Sequence, residues 1–192
     1  MPALRLGACM GALLWGVAAS AVAAERVALD PRRSSAEFEI RAMWMFDVGG
    51  RFGDVSGEVE IDREARSVKV WARIGVADVS MRRDSYEAWV KSAEFFDAAR
   101  YPQIVFESEP FPLATLDLGG DIVGSLTLRG STQPMRFALR PSECPGQAAL
   151  SCPVVADGSL QRSEFGMRTR RATLADKVRL HLSVSATQAA TD

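Results

Sequence analysis

Apolar and polar residues alternate in segment after segment from residue 26 onward. The stretches "DIVGSLTLRG", "PMRFALR" and "VRLHLSVSA" show this period of two, and "SVKVWARIGV" places on one face Val68, Val70, Ala72, Ile74 and Val76. Successive side chains of a β-strand point to opposite sides, so this period indicates antiparallel strands with one buried face. Most of the chain is therefore predicted to be sheet.

The alternating segments are separated by clusters of Gly, Pro, Asp and Ser, which mark turns. We predict strands near residues 26–30, 35–46, 55–62, 67–77, 103–109, 121–129, 134–140 and 177–187, with a weaker strand near 154–162. Many antiparallel strands in one domain form a sandwich or a barrel, and a barrel of about eight strands can hold a small ligand. Periodicity alone does not choose between them.

One interval, near residues 84–97, has a different period. Asp84, followed three residues later by Glu87, is typical of a capped helix start. Apolar side chains then recur at helical spacing, at Tyr86, Trp89, Val90 and Ala93. This pattern predicts a short helix whose apolar face packs on the sheet.

The predicted strand 35–46 ends in "RAMWMF" and is apolar on both faces. The second face begins polar but turns apolar at Met43 and Met45. The first face is apolar throughout, with Phe38, Ile40, Ala42, Trp44 and Phe46. A half-buried strand keeps one polar face, so the second face needs a cover, and the predicted helix offers one.

The first 24 residues have the three-part pattern of a secretory signal peptide: Arg5, an apolar run, then small residues up to Ala24. An uncleaved anchor is the alternative reading of this segment. We expect cleavage, which leaves residues 25–192 as one domain that is periplasmic or secreted. No later segment of the sequence approaches the length of a membrane span.

Charge and cysteine content narrow the range of possible functions. Without Arg5 the chain has 22 basic and 24 acidic residues, from totals of 23 and 24, and this balance argues against a nucleic-acid partner. Cys144 and Cys152 have seven residues between them, in a Pro- and Gly-rich stretch of an exported chain. We predict a local disulfide. A metal site or a redox pair is the alternative, but there is no CxxC and no histidine nearby.

The chemical inventory is sparse. The one histidine, His181, shares a strand face with Arg179 and Ser183, opposite the apolar face, so it is expected to point outward. One histidine and two bridged cysteines cannot build the usual zinc or iron site, so no metal is predicted. No GxSxG or dinucleotide loop occurs. Carboxylate pairs at spacing two, such as Glu107 and Glu109, fit a solvated strand face, with a glycosidase-like acid pair as the alternative.

The order of four motifs resembles the YceI-like family of periplasmic proteins. They are "SSAEFEIRAMWMFDVGGRFGDVSGEVEID", "SAEFFDAARYPQIVFES", "GDIVGSLTLRGSTQPMRFAL" and "GSLQRSEFGMRTRRATLADKVRLHLSVSA". The resemblance implies an all-β, antiparallel, lipocalin-like barrel that binds polyisoprenoid or other long-chain amphiphiles. Two departures stand out: Ala42 replaces a histidine of many members, and "RDSYEAWVKS" is longer than the usual segment and lacks its histidine. The resemblance thus implies a drier, more aromatic pocket here.

If the barrel is right, one face of strand 35–46 lines the cavity, and the other lies under the helix or at a mouth. The expected ligand-binding residues are Phe38, Ile40, Ala42, Met43, Trp44, Met45, Phe46, Trp71, Trp89, Phe106, Leu126 and Phe137. Methionine suits such a wall because its side chain is unbranched and polarizable. Arg82, Arg168 and Arg170 could form a rim for an anionic head group, or could be solvated hairpin ends.

We therefore predict a protein without a catalytic group or cofactor that sequesters or carries an isoprenoid lipid, such as a quinone or polyprenyl species. One alternative is an envelope interaction protein whose interior is filled by its own side chains. A second is an enzyme that acts on such a lipid through a carboxylate. A homodimer is left open by the sequence.

Overall fold

The computed structural model of the protein describes residues 24–146 and 152–187. Its described elements are twelve strands, two α-helices and one 3₁₀ helix. The strands are β1 (Glu25–Ala28), β2 (Ser35–Ala42), β3 (Phe46–Phe52), β4 (Val55–Asp62), β5 (Ser67–Gly75), β6 (Val79–Met81), β7 (Gln103–Ser108), β8 (Phe111–Pro112), β9 (Gly120–Leu128), β10 (Ser131–Leu139), β11 (Val154–Gln161) and β12 (Leu174–Val184). The helices are α1 (Asp84–Lys91), α2 (Thr115–Leu118) and the 3₁₀ helix (Arg162–Phe165).

All of the strands belong to one antiparallel sheet. Its order is β1-β4-β5-β7-β9-β10-β11-β12-β2-β3-β6, and β8 pairs with β5 outside this path. A bridge between Leu29 and Ala186 joins the chain after β1 to the chain after β12. The backbone N–H of Asp30 donates to the Ser185 carbonyl at 2.8 Å beside this bridge. These contacts curl the sheet into a barrel, and the all-β barrel prediction is confirmed.

The period of two in the sequence predicted most of the strands, because one face of each of these strands is buried. On β10 the buried residues Met135, Phe137 and Leu139 alternate with exposed neighbours. The strand count is higher than the predicted eight or so, since β3, β6 and β8 were not foreseen. β3 is the longest of these, and two glycines, Gly49 and Gly50, interrupt the apolar alternation of its sequence FDVGGRF.

The glycines of β3 have a packing reason. A Cβ on Gly50 would lie 2.6 Å from the ring of Phe38 on the neighbouring strand. The Phe38 ring thereby packs over Gly50 and contacts Phe52, with ring centroids 5.5 Å apart. Gly50, which interrupts the alternation of β3, is therefore required by the packing of the core.

The predicted continuous strand 35–46 is wrong in its last third. β2 ends at Ala42, residues 43–45 form a turn, and β3 returns alongside β2 from Phe46. The Met45 backbone N–H donates to the Ala42 carbonyl at 3.2 Å, and Met43 and Trp44 have positive φ of 47° and 63°. Three residues thus separate the paired Ala42 and Phe46, and positive φ at both central residues of a β-turn usually selects Asn-Gly. The absence of those residues explains the error.

The predicted helix exists but is shorter, since α1 ends at Lys91 and not near residue 97. Its predicted cap is also absent: the N-cap is Arg83, which makes no side-chain cap hydrogen bond. The carboxylate of Glu87 instead accepts a hydrogen bond from the Met81 backbone N–H at 2.8 Å. Glu87 therefore anchors the helix to β6, not to its own first turn.

The disulfide between Cys144 and Cys152 is confirmed, with Cα atoms 5.9 Å apart. The predicted signal peptide lies outside the described residues except for Ala24. In the part of the chain that the structure describes, no helix is both long enough and apolar enough to cross a membrane.

Candidate functional site

The barrel encloses an apolar cavity of about 460 Å³. Every strand except β1 and β8 contributes to its wall, and α1 with the following residues contributes Tyr86, Trp89, Val90, Phe95 and Phe96. Most wall side chains are aliphatic or aromatic. A pocket of this size and lining is typical of a small-molecule site, for which about 300–1,000 Å³ is usual.

Alternation along the strands shapes this wall. Ala36, Phe38, Ile40 and Ala42 of β2 all face inward, as the period of two predicts. Two T-shaped aromatic pairs hold opposite parts of the interior: Phe38 with Phe96, centroids 5.8 Å apart, and Phe106 with Phe137, centroids 5.2 Å apart. Such pairs add about 0.5–1.5 kcal/mol to their area burial, so the cavity has firm walls.

The cavity reaches the surface beside the hairpin between β2 and β3. Four wall residues are exposed: Glu37, Met43, Arg170 and Thr173. Three of them lie together, because the Met43 backbone N–H donates to the Thr173 carbonyl at 2.7 Å. We call this region, Met43, Arg170 and Thr173, the mouth.

Glu94 ties the mouth to the helix. Its carboxylate accepts hydrogen bonds from the Trp89 indole N–H at 2.7 Å and from Nε of Arg170 at 3.0 Å. The Arg170 guanidinium also lies over the Trp89 ring, 4.8 Å from its centroid. The Trp89 indole, and then the Arg170 guanidinium, hold the pKa of Glu94 below its ordinary value of 4.5. The one indole N–H in the wall is thus fixed by a charged partner.

Arg162 is a buried cation in the wall, with 1% of its surface exposed. Its guanidinium donates to three backbone carbonyls: Met167 at 2.6 Å, Ala175 at 2.9 Å and Leu174 at 3.3 Å. Burial lowers the pKa of this guanidinium, and the charge of Asp176 partly offsets the shift. A guanidinium remains charged at neutral pH even so. The buried part of the wall therefore has a fixed positive charge among mostly apolar side chains.

A family model for the YceI-like domain matches residues 28–186, which is most of the chain. The chain belongs to the YceI-like family. A UPF0312 protein of Yersinia enterocolitica is 28% identical over 191 residues and covers 96% of each chain. A UPF0312 protein of Yersinia pestis is 27% identical over 193 residues, with 95% of this chain and 96% of the relative covered.

Solved structures show the same fold. BcnA of Burkholderia cenocepacia matches with a TM-score of 0.65 at 20% identity, over 81% of this chain and 98% of BcnA. A polyisoprenoid binding domain from Saccharophagus degradans matches with a TM-score of 0.58 at 14% identity, over 82% of this chain and 95% of that domain. At these identities the likeness concerns the fold alone, and the ligand of this YceI-like protein has to be argued from its own residues.

The structure brings most of the predicted ligand-binding residues together in the cavity wall. They are Phe38, Ile40, Ala42, Met43, Trp89, Phe106, Leu126 and Phe137. Trp44, Met45 and Phe46 are not in the wall, because the hairpin turn carries them out into solvent. Trp71 is not in the wall either, since it lies on the outer face of β5, 4.5 Å below the Lys69 ammonium.

The predicted cationic rim is only partly at the mouth. Arg170 lines it, but Arg168 is exposed on the neighbouring loop and Arg82 borders a separate groove on the outer surface. Arg162 was missed because a buried arginine has no signature in a sequence. Phe95 and Phe96, which belong to one of the four motifs of the resemblance, also line the cavity.

The one histidine of the chain, His181, lies on the outer surface of the barrel. His181 Nδ1 lies 2.8 Å from the Asp157 carboxylate, on the outward face of the sheet. This hydrogen bond, and then the Arg140 guanidinium, hold the pKa of Asp157 below its ordinary value of 3.8. Glu107 likewise faces outward, where its carboxylate binds the Lys69 ammonium at 2.7 Å. Neither group is in the cavity wall.

Acid should weaken the interactions of Glu94 with Trp89 and Arg170 beside the mouth. Because the pKa of Glu94 is lower in the folded protein, its ionised form stabilises the fold above 4.5, and this stabilisation is lost as pH falls through the lowered value. We expect Glu94→Gln to be less stable than the parent at neutral pH, with a difference that shrinks below pH 4.5. Urea unfolding across this range measures it. Glu109→Gln, at an exposed site, is the control, and a difference independent of pH would contradict the assignment.

Proposed function

We propose that this YceI-like protein binds an isoprenoid or other long-chain amphiphilic lipid in its cavity and sequesters it or carries it across an aqueous compartment. The observation that carries the proposal is the apolar cavity of about 460 Å³ with its single cluster of exposed wall residues at the mouth. A cavity without ligand would leave Phe96, Phe106 and Leu126 with unfilled contacts, and an apolar chain supplies those contacts.

The energetics favour a long apolar tail. At about 0.8 kcal/mol for each buried CH₂, ten prenyl carbons correspond to about 8 kcal/mol before the ordering costs of binding. Full burial of a forty-carbon tail would nominally give about 30 kcal/mol, which exceeds the ceiling for non-covalent binding. A tail that fills the cavity and emerges at the mouth therefore binds usefully.

The charged groups of the wall favour a polar head that accepts hydrogen bonds. Arg170 at the mouth and buried Arg162 are both cationic, and Glu94 is occupied by Trp89 and Arg170. A quinone carbonyl or a prenyl phosphate oxygen is an acceptor for such donors. The combination supports quinones or polyprenyl species as the ligand class.

The competing interaction-protein hypothesis expects an interior filled by the protein's own side chains. The cavity of about 460 Å³ counts against that hypothesis. An enzyme acting through a carboxylate would place one in the cavity. The one carboxylate among the described wall residues, Glu37, is exposed and also borders the outer groove, whereas Glu107 and Asp157 lie on the outer face and Glu94 is paired. For the location we propose the periplasm or the exterior, which the leader pattern of residues 1–24 and the disulfide support.

Tryptophan fluorescence tests the proposal at the level of single residues. Beyond residue 24 the chain has three tryptophans, Trp44, Trp71 and Trp89, and only Trp89 lines the cavity. We expect a quinone with an isoprenoid tail to quench the parent protein at a stoichiometric end point. Trp89→Phe should lose most of this quenching, whereas the control Trp71→Phe should retain it. Equal loss in the two variants, or no quenching of the parent, would contradict binding in the cavity.

A further inference from the structure

The hairpin tip, defined as residues 43–46, is the most apolar exposed feature of the described surface. The exposed fractions are 61% for Met43, 81% for Trp44, 77% for Met45 and 58% for Phe46. Leu118 and Val123 are the other large apolar residues with high exposure in the described parts of the chain, and each stands alone. Single exposed apolar residues need no explanation, but four consecutive ones mark a contact surface.

The backbone holds these side chains outward. Met43 and Trp44 occupy the left-handed region, which is unfavourable for L-residues other than Gly. Asn-Gly would form the same turn without that strain. The Met43 N–H is bound by the Thr173 carbonyl at 2.7 Å, so the tip is fixed against the neighbouring loop. The turn itself does not need a Trp or a Met at these positions.

Three arginines lie on the loop that contacts the tip. Arg168, Arg170 and Arg171 lie on the loop before β12, which contacts the tip through Thr173, and all three are exposed. Arg170 pairs with Glu94. Within residues 24–146 and 152–187, no carboxylate lies within ion-pair distance of Arg168 or Arg171. Two cations are therefore available to an anionic partner at the edge of the apolar tip.

Size and position identify the partner. A stable interface between two protein copies takes about 20–30 residues from each side, and a four-residue projection is too small for that. Trp and Met side chains flanked by Arg are suited to a lipid interface, where apolar groups insert and cations meet anionic head groups. The tip also adjoins the mouth, because Met43 belongs to both.

We propose that the hairpin tip, with Arg168 and Arg171 beside it, docks the protein on the surface of an anionic lipid bilayer and sets the mouth against the membrane. The lipid then passes between bilayer and cavity without exposing its tail to water. This role rests on the proposed function, since a docked mouth matters only if the cavity takes up lipid.

Vesicle co-sedimentation tests the docking. The chain is produced from Glu25, so that the apolar leader cannot bind lipid itself, and is mixed with vesicles of phosphatidylcholine and phosphatidylglycerol in equal amounts. Trp44→Gly suits the positive φ at this position and should fold at least as well as the parent. We expect it to bind vesicles about tenfold more weakly. Leu118→Ser removes an equally exposed apolar residue elsewhere and should bind like the parent.

The charge contribution has its own pair of variants. Arg171→Gln should weaken binding to the anionic vesicles by a few-fold, and its effect should vanish with vesicles of phosphatidylcholine alone. Arg32→Gln removes one exposed cation from the chain before β2 and serves as the control. An Arg32→Gln effect as large as that of Arg171→Gln would overturn the assignment of the site.

Failure of the docking and failure of the proposed function give different results. Parent protein that takes up the isoprenoid quinone in solution but ignores vesicles overturns docking and leaves the cavity binding intact. Parent protein that binds vesicles through Trp44 but takes up no lipid supports docking and overturns the proposed function. Sedimentation that shows a dimer lost in Trp44→Gly would overturn the membrane assignment and give the tip to a second copy.

Discussion

Ala72→Phe should abolish uptake of the lipid while leaving the barrel folded. Ala72 lies on β5 between Gly57 of β4 and Phe106 of β7, and its methyl group faces the cavity. A phenyl ring at this position would occupy space that the tail needs, in a cavity of about 460 Å³. We expect at least a tenfold loss of affinity for an isoprenoid quinone, measured by quenching of Trp89. Overpacking costs of about 1–3 kcal/mol are reduced here, because the added ring enters an open space.

Ala138→Phe is the matched control for this prediction. Ala138 lies on β10 but points outward into solvent, so the same substitution adds a ring without touching the cavity. Its affinity should equal that of the parent protein. Unchanged affinity in a folded Ala72→Phe protein, judged by far-ultraviolet circular dichroism, would place the ligand outside the barrel.

Arg162→Met should destabilise the fold more than any surface change. The substitution removes the donors that satisfy the Met167, Leu174 and Ala175 carbonyls. A buried carbonyl without a partner costs about 1–3 kcal/mol, so we expect a loss of about 3–5 kcal/mol in the free energy of unfolding. That is a large share of the 5–15 kcal/mol typical of a domain. Urea unfolding of the parent and the variant measures the difference.

The neighbouring arginine provides the comparison for Arg162. Arg168 is exposed, and its Nε makes one long hydrogen bond of 3.4 Å to the Ser163 carbonyl. Arg168→Met should change the stability by less than about 0.5 kcal/mol, as surface substitutions usually do. Arg162→Lys should remain strongly destabilised, because an ammonium lacks the planar fork that reaches three carbonyls. Full stability in Arg162→Lys would show that charge alone is what the site requires.

The sequence predicted the strands in which one face is buried and the other is exposed to solvent. β4, β5 and β10 alternate cleanly because their inward side chains fill the core. β3 was not foreseen, since the close packing of Phe38 selects glycine at position 50 and interrupts the apolar alternation of Phe46, Val48 and Phe52. The hairpin turn was missed because Met43 and Trp44 stand where Asn and Gly are usual. At Gly50 the packing of the core, and at Met43 and Trp44 an exposed apolar turn, differ from the residue preferences of a typical strand and hairpin turn.

The candidate site was predictable only as far as strand faces were. Phe38, Phe106 and Phe137 lie on inward faces that alternation reveals. Trp71 was misplaced because β5 carries a tryptophan on its wet face, where the Lys69 ammonium covers the ring. Arg162 and the Glu94 bridge between Trp89 and Arg170 depend on contacts between distant segments. No periodic pattern contains such contacts.

The exposed tip and the cavity with its mouth fit one working cycle for this YceI-like protein. Trp44 and Met45 would hold the mouth at a membrane, and the wall around Phe96 and Leu126 would receive the tail. Glu94 would keep Trp89 and Arg170 in place while the ligand is inside. Each step depends on a different residue set, so the variants described above separate them.

Native mass spectrometry of the protein purified from its own host tests lipid binding in the cavity. The intact complex is weighed, then extracted with organic solvent, and any released lipid is identified. We expect one isoprenoid lipid for each chain in the parent protein and an empty chain in Ala72→Phe. An empty parent protein that also remains empty after incubation with isoprenoid quinones and prenyl phosphates would contradict this expectation.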